Sequence, residues 1–321
     1  MTTLTGHLLA RAGRRAARLA GRSHRALAVL VSLLAMVAAP GAGAQGAPIP
    51  ERFATTVSDT DYPGSDLLAL PDVTLERCAA ACLRDGACAA FTFDQRHGMC
   101  FLKGAAAAPV SFVGAVSGVV SEQAPAALER ARQAAATIAF LTEHDFAAAL
   151  EQAAGMAQRF FAEGNDEAWL LTQSRGMTAQ SEVTYTGAAV TVADSGAAWA
   201  RYAEALLRLA DAVPNRAYER ESQAVLAALN AALRLEGRER ADALLTLARA
   251  LERRYRGEAA LGAVRLADSL VPGIARDDLR RLREAFGFRV LSHEVDARTA
   301  APRICVTFSG DLAAATDYDQ Y

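Results

Sequence analysis

Cys78-Ala79-Ala80-Ala81-Cys82-Leu83-Arg84-Asp85-Gly86-Ala87-Cys88 is followed by Ala90-Phe91-Thr92-Phe93 and closed by Met99-Cys100-Phe101-Leu102-Lys103. Four of the chain's five cysteines lie in this window. Cys78 and Cys82 are four apart and share one face of a helix. Glu76, Arg77 and the alanines between the cysteines favour that helix, and Asp85-Gly86 ends it in a turn. Ala90–Phe93 and Met99–Leu102 are short apolar runs of strand character. The polar stretch Asp94–Gly98 between them reads as a hairpin loop.

This layout suits two disulfides. Cys82 is expected to pair with Cys88 across the tight turn, and Cys78, one helical turn earlier, with Cys100 on the second strand. Four cysteines allow three connectivities, and spacing alone does not choose among them. A zinc site is the competing reading. No Cys-x-x-Cys pair and no histidine at ligand spacing occur, so disulfides are preferred over metal.

The pattern Cys-x3-Cys-x5-Cys-Ala-Ala-Phe-Thr-Phe, then Gly98-Met99-Cys100-Phe101-Leu102-Lys103, resembles the PAN/apple domain in its short bacterial form. Asp61-Tyr62-Pro63-Gly64-Ser65-Asp66-Leu67 is similar to that family's first strand and turn. The resemblance covers roughly residues 50–121. It implies a small antiparallel sheet with one helix and a non-catalytic role in binding protein or carbohydrate. Larger apple domains add a disulfide joining their ends, and no cysteine stands at either end here.

Upstream, Arg11, Arg14, Arg15, Arg18, Arg22 and Arg25 form a basic region without an acid. Ala26–Ala39 is an apolar run short for a bilayer, and Ala42-Gly43-Ala44 is a small-residue cleavage site. Residues 1–44 therefore read as a secretory signal cleaved after Ala44, with an uncleaved anchor as the lesser reading. Export to the periplasm follows, and the mature form should not span a membrane. Cleavage removes six of the 34 basic residues and none of the 36 acidic ones, leaving a formal charge of −8. A chain this acidic with no basic cluster is a poor nucleic-acid binder.

Residues 45–51 form a proline-bearing linker, and residues 52–121 the PAN-like domain, with Val110–Val120 as a strand closing back beside the first. Residues 122–287 turn helical. Leu128, Ala131, Ala135, Ile138 and Leu141 make one apolar stripe. A second helix is expected over Asp145–Glu163. Glu182–Thr186 and Ala188–Val192 read as a small hairpin around Gly187 or as irregular loop. Helices follow at Ala197–Ala212, Ala217–Leu235, Arg238–Tyr255 and Gly257–Leu270, punctuated by Pro214, Gly237, Gly257 and Pro272-Gly273. Ala241–Gly273 fits tetratricopeptide spacing, which makes this region a stack of helical hairpins, with a generic alanine-rich bundle as the plainer alternative. Such a stack carries surfaces rather than chemistry.

Residues 288–321 change character once more. Phe288–Val295 and Arg303–Phe308 alternate as two strands of a β-sandwich. Two strands cannot bury a face alone, so they either join the PAN-like sheet or begin a domain that continues. Cys305 is the odd cysteine, unpaired in this chain. Phe288-x-Val290-x4-Val295 with Ala301-Pro302-Arg303-Ile304-Cys305-Val306-x-Phe308-Ser309 resembles the opening of the first macroglobulin-like domain in bacterial, specifically alphaproteobacterial, alpha-2-macroglobulins. That resemblance implies the N-terminal accessory region of a protease inhibitor. The Cys-x-x-Gln of that family's thioester is absent.

The fold class is thus α+β and multidomain. No catalytic residue, metal set or cofactor is assigned. His97, His144 and His293 fall in separate segments, and no phosphate-loop, dinucleotide or Gly-x-Ser-x-Gly motif occurs. Trp169 and Trp199 read as packing residues. The one candidate binding surface is the loop Asp94, Gln95, Arg96 and His97. Expected partners are protein, either a protease or an envelope protein, or polysaccharide. The alternative function is a free-standing exported PAN/apple protein that binds envelope polysaccharide or protein.

Overall fold

The structure is a computed structural model that describes residues 47–298, 302–310 and 312. The signal segment and its cleavage point after Ala44 lie outside the described residues. Among the described residues no helix is long and apolar enough to cross a membrane.

The first part is a five-stranded antiparallel sheet with one helix. Its elements are β1 (Arg52–Asp61), β2 (Asp66–Leu70), α1 (Leu75–Arg84), β3 (Ala90–Asp94), β4 (Met99–Lys103) and β5 (Val110–Glu122). The strand order is β1-β5-β3-β4-β2. Thr74 caps α1 by accepting from the Arg77 backbone N–H at 3.4 Å, Glu76 stands in the first turn and Arg84 in the last, each placed favourably in the helix dipole. Phe91 faces Leu102 and Phe93 faces Cys100 across β3 and β4. These side chains form a buried core with Cys78, Ala79, Cys82 and Cys88.

The helical part comprises α2 (Pro125–Ala136), α3 (Glu143–Ala154), α4 (Met156–Arg159), α5 (Glu167–Gln173), α6 (Ala179–Ala193), α7 (Gly196–Ala212), α8 (Ala217–Arg234), α9 (Gly237–Arg253), α10 (Gly257–Leu270) and α11 (Arg276–Phe286). From α6 to α11 each helix packs on the next, while α2 and α3 pack on α8. Trp199, Tyr202, Leu206, Leu229, Leu244, Leu247 and Leu251 are fully buried between them.

Two expectations change here. Glu182–Val192 is neither hairpin nor loop but the body of α6. Its β-branched residues argue for strand, and burial overrides them. Residues 186 to 191 are all buried, so no apolar stripe marks the helix in the sequence. The Thr186 and Thr191 hydroxyls donate to Glu182 O at 2.7 Å and Ala188 O at 2.8 Å, satisfying themselves inside the core. Gly187 has to be small, because a Cβ there would lie 2.6 Å from the Phe160 ring. The single helix expected over Asp145–Glu163 starts at Glu143, where Thr142 and Asp145 form a reciprocal capping box, and breaks at Gly155.

The sheet and the helices form one compact unit. Thr55 Oγ1 donates to Thr191 O at 2.8 Å, and Thr56 Oγ1 to Ala157 O at 3.0 Å. Ala157 itself belongs to the core of the sheet. Beside this seam sits a buried polar cluster. The Asp194 carboxylate accepts from Trp199 Nε1 at 2.6 Å, Gln123 Nε2 at 2.6 Å and Arg234 Nη2 at 2.7 Å. Arg234 also donates to Asp194 O and Asn230 O, and lies over the Trp199 ring. Burial pulls the Arg234 guanidinium below its ordinary range, and Asp194 opposes that shift.

The last two strands, β6 (Val290–Asp296) and β7 (Arg303–Phe308), pair only with each other and form a separate sheet. They do not join the five-stranded sheet, which removes the first of the two options read from the sequence. His293 faces Val306 and Val295 faces Ile304, whereas Ser292 faces Thr307 and Glu294 faces Cys305. Cross-strand partners share a side, so one face is apolar and the other polar. Both faces are open: Val295 and Ile304 are exposed, and Cys305 is an exposed free thiol.

Candidate functional site

The site is built on the cysteine window. Cys78 is bonded to Cys100 and Cys82 to Cys88. The first bridge ties α1 to β4, and the second closes the turn after the helix. All four residues are buried. Arg52 completes the clasp without a further disulfide. Its guanidinium donates to Cys82 O at 3.1 Å, Leu83 O at 2.9 Å and Asp85 O at 2.8 Å, and also to Cys88 O. A helix leaves its last carbonyls unpaired, and a cation there satisfies both their hydrogen bonds and the dipole.

Lys103, the chain's only lysine, is buried on the opposite side of the sheet. Its Nζ donates to Asp66 Oδ1 at 2.7 Å, stands 3.7 Å from Asp61 Oδ1 and lies over the Phe101 ring. It fastens the edge strand β2 to β4.

The loop Asp94–His97 is the turn between β3 and β4. Asp94 points inward and is 8 % exposed. Its Oδ1 accepts from the Arg96 backbone N–H at 2.9 Å, and its Oδ2 lies 2.7 Å from His97 Nδ1. The hydrogen bond with His97 holds the Asp94 carboxyl below the usual range. Asp94 is therefore spent on the loop's own geometry, and Gln95, Arg96 and His97 are the exposed members.

Beside this loop lies a feature that sequence reading did not resolve. β1 and β5 pair regularly to Ser58↔Val116 and resume at Thr60↔Ser111, so residues 112–115 stand opposite Asp59 alone. This wide bulge is pinned. Asp59 Oδ1 accepts from the Gly114 N–H at 2.7 Å, and Gly114 O accepts from the Gln95 N–H at 3.1 Å. Gly114 has φ +87° and a Cβ there would lie 2.9 Å from Arg96 Nε, so only glycine lets the guanidinium rest on the backbone. The signal for it is faint: the alternation of Val110–Val120 breaks at Phe112-Val113-Gly114.

Among the described residues no cluster of three or more His, Cys, Asp or Glu side chains could hold a metal ion. His97 lies in the β3–β4 turn, His144 at the start of α3 and His293 on β6.

Residues 60–103 match the PAN domain family. The matched stretch contains both disulfides and the Asp94–His97 loop, and it stops before the bulge. No curated protein and no solved structure matches the chain.

Proposed function

We propose that this chain is the non-catalytic, exported recognition region of an alpha-2-macroglobulin-like protease inhibitor, held in the periplasm after removal of residues 1–44. The PAN domain is a binding module, and the partner it holds is a protein, either a protease or an envelope protein, or a polysaccharide. The helical part acts as a rigid mount. The hairpin β6–β7 opens the first macroglobulin-like domain.

The observation that carries this reading is the mounting of the PAN domain. Its staple and sheet core are seated on α4 and α6 through Thr55, Thr56 and Ala157, so a partner held by the module is held at a fixed orientation to everything that follows. The hairpin's apolar face supports the inhibitor context, since two strands need a covering layer to be stable.

The test is to sequence the coding region beyond Tyr321 and to assay the encoded secreted product against a panel of proteases. A reading frame that continues into sandwich domains with a Cys-x-x-Gln, in a product that retains a cleaved protease, supports the proposal. A stop codon directly after Tyr321, with the folded product of that length secreted, sinks the inhibitor context and leaves a free-standing binding protein.

A further inference from the structure

The bulge on β5 carries exposed apolar residues and packs at Gly114 against Arg96, which has no carboxylate within ion-pair distance among the described residues. Val110 is 47 % exposed, Phe112 39 % and Val113 62 %. These are three exposed apolar side chains within four residues, and the sheet's other exposed large apolar residues are Leu67 and Leu68 on the edge strand β2. The backbone carrying them is fixed rather than mobile. Asp59 is held at φ +51° and Gly114 at φ +87°, and the hydrogen bonds from Gly114 and Gln95 lock both sides. A non-glycine residue in that conformation costs about 1 kcal/mol, a strain that accumulates where a surface has to keep one shape. Bulges commonly serve to re-aim side chains.

Charge narrows the ligand. Asp94 is buried and held by the Arg96 N–H and His97, while Asp59 is exposed and accepts the Gly114 N–H through Oδ1. The Arg96 guanidinium, for which no carboxylate lies within ion-pair distance among the described residues, lies against Gly114, in the chain segment that carries Phe112 and Val113. An aromatic next to an arginine is the composition of a protein-binding hot spot. The guanidinium fork matches a carboxylate.

We infer that Val110, Phe112, Val113 and Arg96 form a docking platform for a polypeptide segment that presents a large apolar side chain next to an Asp or Glu. The inference rests on the reading of the chain as a binding protein and moves its recognition surface from the loop alone to the loop and bulge together. Arg96 lies within the stretch that matches the PAN domain family, and Val110, Phe112 and Val113 lie beyond it.

The test is selection of a phage-displayed random peptide library on the purified, disulfide-bonded full chain, followed by titration of the synthetic winners. Enriched peptides should place an acidic residue within a position or two of an aromatic or long aliphatic one. Their affinity should fall about tenfold or more in Phe112→Ser and in Arg96→Gln, fall less in Arg96→Lys, and be unchanged in Arg249→Gln on α9. Thermal melts of each variant separate lost binding from lost folding. Winners without an acidic residue, winners indifferent to both substitutions, or no winners at all overturn the platform. Binding of dextran or pectate that disappears in Phe112→Ser also overturns it, by placing a sugar there, while leaving the binding-protein reading intact.

Discussion

Asp194→Asn is the sharpest perturbation the molecule offers. Asp194 sits at the C-terminus of α6 with φ +48°, a conformation Asn adopts as readily as Asp, so the backbone is left alone and the charge is removed. The three side-chain partners of the carboxylate are all donors: Trp199 Nε1, Gln123 Nε2 and Arg234 Nη2. An amide keeps its oxygen toward two of them and turns its NH2 toward the third. Arg234, whose side chain is 4 % exposed, loses its only counter-charge among the described residues. Breaking a buried pair from one side costs about 3–5 kcal/mol, and a buried donor facing a donor falls in the same range or below it. With a urea slope of about 3 kcal/mol/M for a unit of this size, the unfolding midpoint should drop by about 1–1.7 M. The assay is urea unfolding followed by far-ultraviolet circular dichroism on the purified chain. Asp194→Asn with Arg234→Met should recover much of the loss, because the stranded charge is then gone. A midpoint shift below about 0.3 M, or a double variant less stable than Asp194→Asn by the full cost of a second broken pair, refutes the reasoning.

Replacing Cys78 and Cys100 by alanine should destabilise the chain by about 3 kcal/mol and replacing Cys82 and Cys88 by about 2 kcal/mol, since the bridges span 22 and 6 residues; chemical denaturation of the two double variants checks both the size and the order. Burial raises the Asp145 carboxyl, but hydrogen bonds from Arg256 and Thr142 outweigh it and bring it from 3.8 to about 2. A carboxyl lowered by folding stabilises above its unfolded pKa, and that contribution, on the order of 1–2 kcal/mol after solvent screening, is lost as the pH falls through about 2. Asp145→Asn should remove this part of the acid sensitivity, which denaturation midpoints at pH 6, 4 and 2.5 will read. Gly118→Ala should cost about 1–3 kcal/mol by overpacking, because a Cβ there meets the buried Phe91 ring at 2.3 Å; a thermal melt of unchanged midpoint rejects that packing.

Much of the candidate site is written locally. The helix of Cys78 and Cys82, the turn at Asp85-Gly86 and the two short strands are fixed by spacing, propensity and turn residues within thirty positions. α7 to α10 are legible because alanine, leucine, arginine and glutamate favour helix along them and a Gly or Pro follows each. α6 is not, because its threonines and valines favour strand and its all-round burial leaves no apolar stripe to outweigh them. The bulge at Phe112–Ala115 leaves only a break in alternation in the sequence, since it is a mismatch in length between β1 and β5, and register is a relation between two strands.

The sequence by itself determined a cysteine-stapled module followed by helices and a final pair of alternating strands, because those features depend on residues close in the chain. Only the tertiary structure decided that the module is seated on α4 and α6, that Arg52 clasps the end of α1, that Asp94 is consumed by its own loop, and that Arg96 lies against Gly114 in the bulge. Each of these joins groups separated along the chain, and their hydrogen bonds and charges take a value only once packing has removed the water between them.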